Sequence, residues 1–169
     1  MTDTTLQELA DFPRRLAAHY AAIPPGHAQW RPATWDGIPS ERFAPLAQLC
    51  HLRDIEIDGY RVRFARTLGE ERPLLADIDS DALALARDYA SCDDAAGVLA
   101  AFAEARAGTV RMLSTLSAAD FARVADFEGL GPITVRGLVH QLCSHDAQHL
   151  AGLQWLASRI DADRFASMP

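Results

Sequence analysis

Residues 134–160, TVRGLVHQLCSHDAQHLAGLQWLASRI, decide the fold. Thr134 is suited to cap a helix, no proline falls between Val135 and Ile160, and apolar residues return at intervals of three and four. At about 100° per residue, Leu138, His145, His149, Leu153, Leu156 and Ile160 all fall within about 60° of Leu142, forming one buried stripe. His140 falls some 160° away by the same pitch and reads as a surface residue.

Three further stretches share that period. The first opens at Thr5-Leu6-Gln7-Glu8, a capping-box pattern, and runs through Leu9, Leu16 and Tyr20 until Pro24-Pro25-Gly26, with Pro13 expected to kink it or mark a late start. The second is expected from a cap at Ser40 to near Gly69, the third after Ser91-Cys92-Asp93-Asp94 with a stripe of Val98, Leu99, Phe102, Val110, Leu113 and Leu116. Residues 70–90 read as a long connection with a short helix around Leu83 to Arg87, and Gly129, Gly131 and Pro132 as a turn. No sustained alternation argues for a sheet. The expectation is one all-α domain over residues 1–169, a four-helix bundle with long crossover connections.

Composition narrows the function classes. Hydrophobic residues are 49% and charged residues 23% of the chain, ordinary globular proportions. A net charge of −7 disfavours a phosphate backbone, and the densest basic group, Arg61, Arg63 and Arg66, follows directly on Asp54, Glu56 and Asp58. Nucleic acid is therefore not an expected partner. Three cysteines at wide spacing, Cys50, Cys92 and Cys143, fit a reducing compartment, and buried thiols of this kind are normally inert packing. The first 20 residues lack an export pattern and no stretch has the 18 or so apolar residues of a membrane helix, so the cytoplasm is expected.

The histidines carry the chemistry. His145 and His149 lie one turn apart on the buried stripe, where two imidazoles replace apolar side chains worth about 1.5–3 kcal/mol each. A bound metal would offset that loss; hydrogen bonding within the core is the alternative. Two imidazoles seldom hold a metal alone, and His51 supplies a third because it shares a face of the second helix with Ala44, Ile55 and Val62. Asp146, inside the apolar arc, and Asp54, one turn from His51, are candidates to hold the rings' second nitrogens, and Asp58 reads as a surface charge. The zinc-protease pattern H-E-x-x-H is excluded, since Asp146 replaces its Glu and no downstream Glu or His remains as a third ligand.

Trp30-Arg31-Pro32, Trp35, Leu49-Cys50-His51-Leu52-Arg53-Asp54-Ile55-Glu56, and Gly131-Pro132-Ile133-Thr134-Val135 leading to His145-Asp146-Ala147-Gln148-His149-Leu150 together resemble the DinB-like (DinB/YfiT) superfamily over nearly the whole chain. The resemblance implies a four-helix bundle binding a divalent ion, zinc or nickel, through one His of the second helix and an H-x-x-x-H of the fourth, matched here by His51, His145 and His149. It also implies a metal-dependent enzyme using a low-molecular-weight thiol.

Sequence assigns no catalytic residue beyond these. Thiol transfer to an electrophile is the expected activity, because hydrolysis wants a free carboxylate as base and Asp146 is committed elsewhere. Gly152 is expected to leave space beside the metal, with Trp30 and Trp35 walling a pocket for a small-molecule substrate. Metal-dependent hydrolysis and a non-catalytic metal-binding or stress role are the alternatives. A second apolar arc on the second helix, Leu46, Ile57, Phe64 and Leu68, suggests a homodimer.

Overall fold

A computed structural model describes residues 3–166. Helix α1 (Asp3–Ala21) already includes Thr5 and passes through Pro13 without ending, so Thr5 does not cap it and Pro13 marks no late start. The second rod starts at Pro45, not Ser40, with Pro at the first helical position and no side-chain cap. It comprises α2 (Pro45–Asp54), a wide π-helical segment (Ile55–Tyr60) and α3 (Arg61–Gly69). Helix α4 (Ser80–Ala86) is capped by Asp79, α5 (Ala95–Ser114) by Asp94, and the one-turn α6 (Ala118–Phe121) by Ser117 in a capping box with Asp120. Thr134 accepts from the backbone of Gly137 at 3.0 Å to open α7, Val135–Ala166, which runs past the expected end at Ile160.

The all-α expectation needs correction. Strand β2 (Val124–Phe127) pairs antiparallel with β3 (Gly131–Thr134) and parallel with β1 (Leu74–Leu75), giving a small three-stranded sheet beside the helices. A turn from Phe127 to Leu130, closed by a 3.0 Å backbone bond, joins β2 to β3, and Gly129 takes the positive φ of 76° that its third position demands. Pro132 is tolerated because β3 is an edge strand. Arg123 donates to the carbonyls of Thr67 and Glu70 at 2.9 and 2.8 Å, and Glu128 accepts from the backbone of Asp77 at 3.1 Å. These bonds fasten the sheet to the end of α3 and to the connection between α3 and α4.

Two apolar clusters fill the interior. One gathers Phe12, Leu16, Phe43, Leu49, Leu52, Phe102 and Leu153; the other Leu9, Ile55, Phe64, Leu113, Ile133, Leu138 and Leu142. Leu46 and Phe64 are buried in these clusters and only Ile57 of the second arc is exposed, so that arc is used within the chain and loses its force as a dimer argument. The π segment explains the rest of the misreading. Its turns are wider than α turns and fall behind the regular pitch, so Val62, expected beside His51, is 46% exposed. Among the described residues no helix is long and apolar enough to cross a membrane.

A charged layer is also buried. Arg106 of α5 donates through Nη1 and Nη2 to Asp146 at 2.6 and 2.9 Å and through Nη2 to Glu56 at 3.0 Å, while the Thr109 hydroxyl donates to the other oxygen of Glu56 at 2.5 Å. Its guanidinium lies 5.2 and 5.0 Å from the rings of Phe12 and Phe102. Burial pushes Asp146 up to about 6, the Arg106 charge and hydrogen bonds opposing this and Glu56 reinforcing it. Removing the cation would leave two buried carboxylates facing each other. Arg106→Met is therefore expected to cost about 3–5 kcal/mol in urea denaturation. A loss under about 1 kcal/mol would contradict the network.

Candidate metal centre

Three imidazoles and one carboxylate converge where α2 faces α7. His145 Nε2 lies 3.2 Å from His51 Nε2 and 3.2 Å from His149 Nε2; Glu41 places Oε2 3.0 Å from His149 Nε2 and Oε1 3.5 Å from His51 Nε2. One ligand atom from each residue falls within 4.8 Å of all the others. Donor atoms about 2.1 Å from a tetrahedral ion lie about 3.4 Å apart, close to the spacings here. His51 and His149 are buried, and Glu41 is one-third exposed.

Gln48 decides the protonation pattern. Its Nε2 donates to Ser40 Oγ at 3.0 Å and to the carbonyls of Glu41 and Phe43 at 2.8 and 3.3 Å, which fixes its amide orientation. Its Oε1 therefore accepts from His149 Nδ1. In neutral His149 that leaves a bare lone pair on Nε2, aimed at the carboxylate of Glu41. Two lone pairs 3.0 Å apart repel unless a positive charge sits with them, either a second proton on the ring or a cation. Burial, then the His149 charge, lowers His51 to about 4, and burial, then the charges of His149 and His51, lowers His145 well below its ordinary value. Glu41 is held at about 2, because hydrogen bonding and attraction from His149 and His51 outweigh the upward push of its burial. The donor set fits a divalent metal.

The three histidines named from sequence are brought together, and Glu41 and Gln48 were missed. Glu41 lies in an irregular segment with no period to read, whereas Gln48 gave a signal, as the one amide in the apolar run Ala44 to Leu52. Neither expected aspartate holds a ring nitrogen. Asp146 is bound by Arg106, and Asp54 accepts from Arg53 at 2.7 and 3.1 Å and from Tyr89 at 2.9 Å. A guanidinium offers full charge and paired donors, which a neutral imidazole cannot match. Among the described residues, His51 Nδ1 and His145 Nδ1 are buried without a partner. Asp58 is a surface charge paired with Arg87 at 2.8 Å, and His140 is exposed.

A cavity of about 330 Å³ opens onto the cluster, lined by Glu41, His51 and His145 together with Tyr60, Arg63 and Phe127. A larger groove of about 680 Å³ between α1 and α5 is lined mainly by apolar side chains and by no histidine or carboxylate. Gly152 does not open space at the histidines: a side chain there would meet Ser40 Oγ at 2.2 Å, so the glycine lets the Ser40 segment pack against α7. Trp35 stacks on Trp155 with ring centres 6.4 Å apart, and neither Trp30 nor Trp35 lines the cavity. Burial pushes the Cys50 thiol up to about 12, the state of inert packing.

The sequence model of the DinB superfamily matches residues 8–153. No curated protein matches. Among solved structures, Bacillus subtilis YfiT, described as a probable metal-dependent hydrolase with an unusual four-helix bundle topology, superposes with a TM-score of 0.81. It is 23% identical, over 94% of this chain and 87% of YfiT, and at that identity the likeness is one of fold.

The low His51 value ties stability to pH. The unfolded chain takes up this proton near 6.5 and the folded chain only near 4, so the stabilisation is present above about 6.5 and lost as pH falls toward 4. At 1.36 kcal/mol per unit, the loss is about 3 kcal/mol. Asp146, raised to about 6, works in the opposite sense, its contribution falling away as pH rises. Comparison with His51→Asn isolates the histidine: in urea titrations of chelator-treated protein between pH 7.5 and 4.5, the wild type should lose about 3 kcal/mol more than the variant. Equal losses would contradict a buried, neutral His51.

Proposed function

From the DinB superfamily, to which this chain belongs, and from the lone pairs that converge at Glu41, His51, His145 and His149, we propose a metal-dependent hydrolase whose ion is held by the three histidines. A divalent ion at such a site lowers the pKa of water to about 7 and polarises a carbonyl. Gln48 keeps His149 Nε2 free to ligate by holding the proton on Nδ1. Glu41 is the general base. Its carboxylate is ionised, stands on the cavity wall and borders His149, so it can take the water's proton and return it to the leaving group. The description of YfiT agrees with this reading.

The sequence favours thiol transfer only while no free carboxylate is in view. Glu41 removes that reason, and neither tryptophan expected to wall a pocket for a thiol carrier lines the cavity. Zinc and nickel both suit imidazole ligands, and the identity of the ion rests on metal analysis.

Glu41 separates a catalytic centre from a closed one. Glu41→Gln should retain one ion per chain while ester hydrolysis falls about 10²–10⁴-fold, whereas His149→Ala should lose the ion. If Glu41→Gln lost the metal too, Glu41 would be a fourth ligand and the site structural. For Gln48→Leu, competition with a chromogenic chelator should read metal affinity about 10–100-fold weaker; an unchanged affinity would remove Gln48 from its assigned role.

A further inference from the structure

The cavity beside the histidines is also lined by a group suited to an anion. Arg63 is only 9% exposed in its side chain, an uncommon place for a guanidinium, and it lies near two rings, 4.5 Å from the Phe127 centre and 5.6 Å from that of Tyr60. Its protein bonds are few. Nη2 donates to the carbonyl of Ala76 at 3.2 Å and makes a long contact of 3.5 Å to Asp77, whose side chain is 70% exposed and also accepts from the backbone of Ile78. Among the described residues no protein group accepts from Nε or Nη1, and Arg63 lines the cavity that the histidines also line. Burial lowers the guanidinium from its ordinary value, yet an arginine remains charged at neutral pH.

Such a charge would ordinarily be neutralised by a buried carboxylate, as Arg106 is by Asp146 and Glu56. Among the described residues Arg63 has only the solvated Asp77 as an ion-pair partner. The two rings favour the nearby charge, and a guanidinium's fork of N–H donors matches a planar anion. The other carboxylate on the cavity, Glu41, is already held by His149 and His51.

We propose that Arg63 binds a carboxylate of the substrate, so that the hydrolase acts on small esters or amides carrying a carboxylate a few bonds from the scissile carbonyl. This rests on the hydrolytic metal centre proposed for Glu41 and the three histidines. A cavity of about 330 Å³ limits the substrate to a small molecule. Arg63 acts on binding and orientation and takes no part in proton transfer.

Two hydroxamates of equal chain length test this by calorimetry on zinc-loaded protein: pentanohydroxamate, and glutarate monohydroxamate with its terminal carboxylate. Each chelates an open ion, and only the second reaches for Arg63. The wild type should bind the acid about 10–100-fold more tightly, the value of one charge-assisted bond. Arg63→Gln should abolish that preference and leave pentanohydroxamate binding unchanged, which also reports that the variant is folded. Arg63→Lys, which keeps the charge and stem, should retain part of the preference. Equal affinities in the wild type, or a preference that survives Arg63→Gln, would overturn the proposal and spare the metal centre. If zinc were bound and neither hydroxamate were, the open centre and this proposal would fall together.

Discussion

The geometry of the site depends on one buried cation. Arg106 reaches from α5 to Asp146 on α7 and to Glu56 in the π segment, and so fixes how two other elements are turned about their axes. Asp146 is the residue after His145, and Glu56 lies five beyond His51. With both carboxylates fixed to one guanidinium, the imidazoles of α2 and α7 cannot rotate apart without uncovering charge in a medium that penalises it heavily. The apolar clusters supply most of the burial but are tolerant of small rotations. The charged layer is not, and that intolerance sets the register.

Much of this is legible in the sequence, for identifiable reasons. The stripe around Leu142 locates His145 and His149 because α7 is regular over its whole length, and the Asp94 and Thr134 caps are visible because each comes after turn residues and precedes a clear period. Asp146 falls in the buried arc as expected, but with a different partner. That partner, Arg106, stands among Ala103, Ala105 and Ala107, and such an arginine can be recognised as paired, though not with what.

Other features leave no periodic trace. Two- and four-residue strands are too short to alternate, and β3 contains a glycine and a proline that read as a turn. Glu41 gains its place through Gln48, whose bonds to the Ser40–Phe43 segment draw an irregular stretch against the histidines. Nothing along the chain announces a contact of that kind. The widening of the helix at Ile55–Tyr60 is equally silent, although it governs where every later side chain of that rod points.

That widening gives one rod two phases. At the regular pitch Tyr60 would lie about 180° and Arg63 about 120° from His51, yet all three line the same cavity. The upstream phase aims the imidazole and the downstream phase aims Tyr60 and Arg63, with the junction setting the offset between them. Loss of one residue of the junction beyond Glu56 would restore the regular pitch and swing Tyr60 and Arg63 aside while leaving His51 and the Glu56 anchor in place. Change of chain length at a single point, rather than substitution within the cavity, is therefore a route by which such a bundle can alter what it admits without altering its ligands.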